Sequence, residues 1–218
     1  MYRNSLKEKK GNELHYDEKS IFDEFRTFFF AGVDTTSTYL ATTIFEIARN
    51  PEVEEKVRAE IEEHMQTDDY SYENIKKLAY LDNVQKEVTR FYGPVVGTFL
   101  RHVETDFYLK GILMTKGIYI RTFTIGVHYS EKYYKDPTAF RPERWESECD
   151  NVPAFAIGGF SAGPRTCIGK HLAKLEAKIG LIKFMKRYKK IELADKDIGF
   201  ISSIVYQPKN VVAKLTKE

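Results

Sequence analysis

The chain has 218 residues, 42% of them hydrophobic and 14% aromatic, enough to bury a core of ordinary size as one domain or as part of a larger one. Its 34 Lys and Arg against 32 Asp and Glu leave a formal charge of +2 with no long basic block, which excludes the electrostatic footprint of a nucleic-acid binder. The two cysteines, Cys149 and Cys167, fall in no Cys/His cluster, and no apolar run approaches the roughly 20 residues that span a bilayer. A zinc site, a disulfide scaffold and a signal or membrane anchor within this chain are therefore not expected, and a reducing compartment is.

Residues 1–19 form a polar segment. A long helix is expected over residues 21–49, capped by Ser20 with Asp23 and Glu24 in its first turn. Its apolar residues, among them Phe22, Phe25, Phe28, Phe29, Phe30 and Phe45, recur round so much of the circumference that burial on several sides is expected. Asn50-Pro51 ends it and opens a charged amphipathic helix over residues 52–64, and residues 82–91 form another, stopped by Gly93-Pro94. Over residues 95–127, short β-branched and aromatic runs turn at Lys110-Gly111 and Lys116-Gly117 and predict a small hairpin sheet. Residues 129–164 hold four of the seven prolines and are expected to be irregular. A last long helix begins near Cys167 with Ile168, Leu172, Leu175, Ile179 and Ile182 on one stripe, and the strand-like pieces ISSIVY and NVVAKL close the chain. The fold class is mainly α with a small β component (α+β), in a single unit with no repeat or linker dividing it.

Three patterns carry chemistry. In Phe160-Ser161-Ala162-Gly163-Pro164-Arg165-Thr166-Cys167-Ile168-Gly169, a cysteine stands where a glycine-rich loop enters a helix, so backbone N–H groups and the helix dipole favour its thiolate as ligand or nucleophile. Gly163 and Gly169 allow sharp turns, Arg165 can meet an anion and Phe160 can shield the sulfur. Taken alone, Cys167 reads more readily as a buried structural thiol. In Ala31-Gly32-Val33-Asp34-Thr35-Thr36, a glycine, an acid and two β-branched alcohols interrupt a helix, which indicates room for a small ligand at Gly32 or a kinked, partly polar buried turn. Glu87-x-x-Arg90 is an i,i+3 pair that by itself carries little weight.

Together these segments resemble the cytochrome P-450 family. The first matches its cysteine-ligand loop F-x-x-G-x-R-x-C-x-G, the second its oxygen-activation motif A-G-x-[DE]-T-T, and Glu87 and Arg90 its E-x-x-R; Phe140-Arg141-Pro142-Glu143-Arg144-Trp145 matches its P-E-R-[FW] segment. The four follow one another in the family's order. The resemblance implies haem b with Cys167 as axial thiolate and metal ligand, its electron donation favouring O–O cleavage. It implies Arg165 and Arg101 on the haem propionates, Phe160 and Gly163 around the sulfur, Gly32 and Ala31 at the oxygen pocket, and Asp34 and Thr35 as the proton relay to dioxygen. Glu87, Arg90 and Arg144 become a structural ion network that fixes the loop.

The activity implied is a haem-thiolate monooxygenase inserting one atom of dioxygen into a lipophilic small molecule. Electrons come from NADPH through a cytochrome reductase partner, since no nucleotide-binding G-x-G-x-x-G is present. Thr27, Phe30, Ala31, Val95, Val96, Phe99 and the turn at residues 201–203 are the positions expected near substrate. The resemblance begins near residue 21 and covers the second half of a family member, of eukaryotic microsomal type. The endoplasmic reticulum membrane, cytoplasmic face, is thus expected for the full-length enzyme, with membrane contact only through the missing N-terminal part. Two alternatives stand beside this reading: a truncated, non-catalytic haem-binding fragment, and a haem-thiolate isomerase or dehydratase, against which the intact Asp34-Thr35 pair argues. Lys170, Lys174 and Lys178 form part of a basic docking face for the electron donor or an ordinary solvated helix face, while His102 and His128 are read as surface or packing residues.

Overall fold

The computed structural model describes residues 17–157, 159–202 and 205–217. Helix α1, Glu18–Arg49, is capped by Asp17, whose carboxylate accepts the Ser20 N–H at 2.7 Å. The cap thus precedes the expected Ser20 by three residues: an aspartate is as good a cap as a serine, and the earlier one absorbs the later into its first turn. Burial also departs from expectation. From Thr38 onward α1 is largely buried, but upstream Phe22 is 59% and Phe29 64% exposed, because little among the described residues packs over this half of the helix.

Helix α2, Pro51–His64, follows directly, with Pro51 in its first turn, and a single helical turn, α3, spans Tyr72–Ile75. Helix α4, Ala79–Tyr92, begins three residues before the sequence pattern predicts. The Glu60 carboxylate of α2 accepts the N–H groups of Tyr80 and Leu81 at 2.7 and 2.9 Å, a cap supplied from another helix and so invisible to local pattern. Helix α7, Lys170–Arg187, packs beside α1, and the core lies where the four long helices meet, with Ile47, Val57, Leu78, Leu81, Val84 and Leu181 buried completely. Each contributes about 1.5–3 kcal/mol by leaving water.

The β component is four two-stranded antiparallel ribbons. Strand β1 (Arg101–His102) pairs with β4 (Tyr119–Ile120), and β2 (Phe107–Leu109) with β3 (Ile112–Met114). The β2–β3 turn is the expected Lys110-Gly111, both residues at positive φ (48° and 82°), as a two-residue hairpin requires. Strand β5 (Lys190–Leu193) pairs with β8 (Ala213–Thr216), and β6 (Phe200–Ser202) with β7 (Tyr206–Pro208). Strand β5 escapes the sequence reading because KIEL follows α7 with no Gly or Pro to announce it. The described residues of 129–164 are irregular apart from one helical turn, α6, at Ala154–Ile157 and 3-10 turns at Pro142–Trp145 and Gly163–Arg165; a further turn of helix, α5, Ile125–His128, precedes them.

No helix among the described residues is long and apolar enough to cross a membrane.

Candidate functional site

Gly163, at φ 72°, opens a 3-10 turn over Gly163–Arg165, and the Cys167 N–H donates to Phe160 O at 2.9 Å. These two constraints close residues 160–167 into a loop that leaves the Cys167 thiol exposed. Helix α7 starts at Lys170, three residues past the cysteine, with Gly169 at its cap. A Cβ at Gly169 would touch the Cys167 sulfur at 3.9 Å, so glycine there keeps that side of the thiol clear.

On α1 the Thr35 hydroxyl donates to Ala31 O at 2.6 Å, the back-bonding expected of a helix threonine, and the helix runs through it unbroken. Asp34 and Thr35 are partly exposed, and a Cβ at Gly32 would meet nothing within 4 Å. A Gly32→Ala substitution is therefore expected to stabilise the isolated protein by about 0.5–1 kcal/mol through backbone entropy alone. A thermal melt checks it; a lowered melting temperature would show that something packs against that turn.

Two contacts draw the motifs together. Tyr39, one turn after Thr35, meets the Phe160 ring edge-on at 6.5 Å, and Gly32 shares a groove of about 350 Å³ with Leu172 of α7. The E-x-x-R helix joins from another side: a Cβ at Gly159 would stand 1.9 Å from Thr89 Cγ2. Because Thr89 is β-branched and buried, it cannot swing aside. Gly159→Ala is expected to destabilise the fold by about 1–3 kcal/mol and to displace the loop, measurable as a lower urea midpoint with faster proteolysis near residue 160.

Neither Tyr39 nor Thr89 was singled out by sequence. Tyr39 is buried and its hydroxyl donates to Gln85 O at 2.8 Å; burial pushes its ionisation well above the ordinary tyrosine range.

The Glu87 carboxylate accepts from five donors: Arg90 Nε and Nη2 at 3.1 and 2.8 Å, Arg144 Nε at 2.9 Å, Trp145 Nε1 at 2.9 Å and the Arg141 N–H at 3.0 Å. The remaining guanidinium nitrogens reach carbonyls. Arg90 donates to those of His128, Pro137 and Ala139, and Arg144 to those of Lys135, Asp136 and Ala139. Arg90, Arg144 and Glu87 are fully buried. The structure thus unites the expected trio and adds Trp145, a residue of the recognised segment to which the pattern gave no role.

The other candidates stand apart. Arg101 and Arg165 are both exposed, and neither has a carboxylate partner among the described residues. No hydrogen bond or ion pair among them joins Arg101, Val95, Val96 or Phe99 to the Cys167 loop. Phe99 and Phe30 are exposed, while Val95 and Val96 are half-buried. Thr27 spends its hydroxyl on Asp23 O at 2.8 Å. Ile201 is exposed; residue 203 of the same turn lies outside the described residues.

Lys178 corrects an expectation. It is buried, donating to Ile75 O at 3.0 Å and pairing with Asp82 at 2.8 Å, because α7 turns this position inward against α4; it cannot belong to a docking face.

The model of the family described as Cytochrome P450 matches residues 1–215. Cytochrome P450 4e2 of Drosophila melanogaster is 34% identical over 88% of this chain and 37% of its own length; Cytochrome P450 4V2 of Mus musculus is 33% identical over 94% and 39%. A cyanobacterial structure, CYP120A1 with retinoic acid bound, superposes with a TM-score of 0.89 at 26% identity, covering 98% of this chain and 50% of that one. The chain thus spans under two-fifths of the length of these two relatives and half of the solved structure.

Proposed function

As the chain belongs to the cytochrome P450 family, we propose that it carries the haem-thiolate half of a monooxygenase, one partial domain that directs one atom of dioxygen into a lipophilic substrate. The observation that carries the proposal is the Cys167 loop: a solvent-open thiol, held by the Phe160 carbonyl and cleared by Gly169. A thiolate is a soft donor suited to iron, and two exposed guanidiniums without a carboxylate partner among the described residues, Arg101 and Arg165, suit the two propionates of haem b. The exposed apolar side chains that follow Cys167 in the chain, with Ile168 84% and Leu172 60% exposed, suit its flat apolar faces. The donor set fits the group.

When bound, haem supplies the redox centre for activating dioxygen. With haem in place Phe160 would help shield the sulfur from water, Gly163 shapes the loop, and Ala31 and Gly32 leave space on the oxygen side. Insertion consumes two protons and two electrons as the second oxygen atom leaves as water. Thr35 delivers protons once its hydroxyl turns from the Ala31 carbonyl, and Asp34 returns them from solvent. Glu87, Arg90 and Arg144 hold the loop, and Thr27, Phe30, Val95, Val96 and Phe99 face the substrate. Electrons arrive from NADPH through a reductase that docks on a face including Lys170 and Lys174; the complete protein works at the endoplasmic reticulum membrane.

The exposure of Ile168 and Leu172 favours a second reading, that this chain alone binds haem without turnover, since a site open to water loses activated oxygen to side reactions.

The test is to express residues 1–218 with haem, reduce, add carbon monoxide and compare the spectrum with that of Cys167→Ala. A far red-shifted Soret band that the variant loses supports the ligand assignment; a band that survives the substitution refutes it. Product formation with reductase and NADPH then separates monooxygenase from both the haem-binding fragment and an isomerase or dehydratase.

A further inference from the structure

A second cleft, of about 100 Å³, lies between α4, the start of α7 and the segment leading into the Cys167 loop. Lys86, Lys170 and Lys174 line it together with Thr89, Phe160 and Ser161, and no carboxylate does. Asp82, the acid whose charge acts on Lys174, is engaged by Lys178 at 2.8 Å. None of the three lining lysines makes an ion pair among the described residues. Lys86 has one neutral acceptor, Asn83 Oδ1 at 3.1 Å, and lies 6.0 Å from the centre of the Trp145 ring, while Lys174 stands 5.8 Å from that of Phe160. Lys174 is half-buried; burial, and after it the charge of Lys170, lower its proton affinity, with Lys86 and Lys178 acting in the same direction and only Asp82 opposing.

Three like charges converge on a concave, partly desolvated place that the fold leaves uncompensated. Such a cleft focuses field lines and concentrates anions. At roughly 30 Å³ per water, its volume holds about three waters or one tetrahedral oxyanion. Flexible ammonium groups suit phosphate as point charges, and the Ser161 hydroxyl can add a neutral donor.

We propose that the cleft lined by Lys86, Lys170 and Lys174 is a binding site for a phosphate-class oxyanion, taken up as inorganic phosphate or as the phosphoryl group of a small phosphomonoester. The inference does not rest on the haem reading.

Calorimetric titration of the full chain with inorganic phosphate, against chloride at equal ionic strength, tests it. Phosphate is expected to bind and chloride not, and Lys174→Met and Lys86→Met to weaken phosphate binding about tenfold each, with Lys174→Arg restoring most of it. Adenosine monophosphate separates the sources: affinity equal to phosphate assigns the phosphoryl group, weaker affinity the free ion. Equal heats for phosphate and chloride, or wild-type affinity in Lys174→Met, overturn the site. Should the variants fail to fold, acetylation of the wild-type chain decides. Phosphate is expected to slow modification of Lys170 and Lys174 several-fold while leaving Lys190 unchanged, and modification unaffected by phosphate overturns the proposal.

Discussion

Glu87→Gln is expected to cost about 3–5 kcal/mol of folding stability, enough to unfold most of a marginal domain. The reason lies in what remains after the charge is removed. Arg90 and Arg144 stay buried, their other hydrogens still pinned by backbone carbonyls, and two guanidiniums then share one neutral amide. The amide is worse than neutral for this purpose: its NH2 group faces the donors of Arg90, Arg144, Trp145 or Arg141 that the carboxylate accepted. Removing one partner of a buried charge set is costly even where the intact set contributes little net stability, because the loss is the desolvation of the orphaned charges. Glu192→Gln serves as control. Its partner Lys190 lies in solvent on an edge strand, so its urea midpoint is expected to stay at the wild-type value. Equal midpoints for the two variants would mean that the network carries no stability of its own.

The contrast between these two glutamates also explains how much was legible beforehand. The trio of Glu87, Arg90 and Arg144 that the family pattern implies does come together, and the mainly α fold with small ribbons follows from local periodicity and turn chemistry. What local pattern missed were features decided by a distant neighbour. Glu60 reaches across from α2 to start α4 early; a pairing partner some twenty residues away makes a strand of KIEL; and Lys178, which reads as one of three surface lysines a turn apart, is swallowed by Asp82 and the Ile75 carbonyl. The phenylalanines of α1 mark the opposite failure. Their pattern correctly states that the helix is apolar all round, yet among the described residues little covers it upstream of Thr38. Periodicity reports what a face requires, not whether this stretch of chain meets the requirement.

His128 supplies the second large effect, a loss of stability on mild acidification. Its side chain is buried with Nε2 unpartnered, and burial, followed by the nearby Arg90 guanidinium, lowers its pKa to about 4. In the unfolded chain the same imidazole titrates near 6.5. Above pH 6.5 it is neutral in both states and contributes no pH dependence. Between 6.5 and 4 the unfolded state takes up a proton that the folded state refuses, so stability falls with falling pH at about 1.4 kcal/mol per unit, some 3 kcal/mol in all. Glu46 runs the other way. Burial raises its pKa, so its contribution to stability is present at low pH and is lost as pH rises through its folded value, which partly masks the histidine in the wild type. Replacing His128 separates them. Arg90 uses the residue's carbonyl and not its ring, so His128→Phe keeps that bond while removing the titrating group. Urea midpoints of the two proteins are expected to diverge progressively between about pH 6.5 and 4.5, the variant losing less. Parallel curves would place the acid sensitivity elsewhere than in this imidazole.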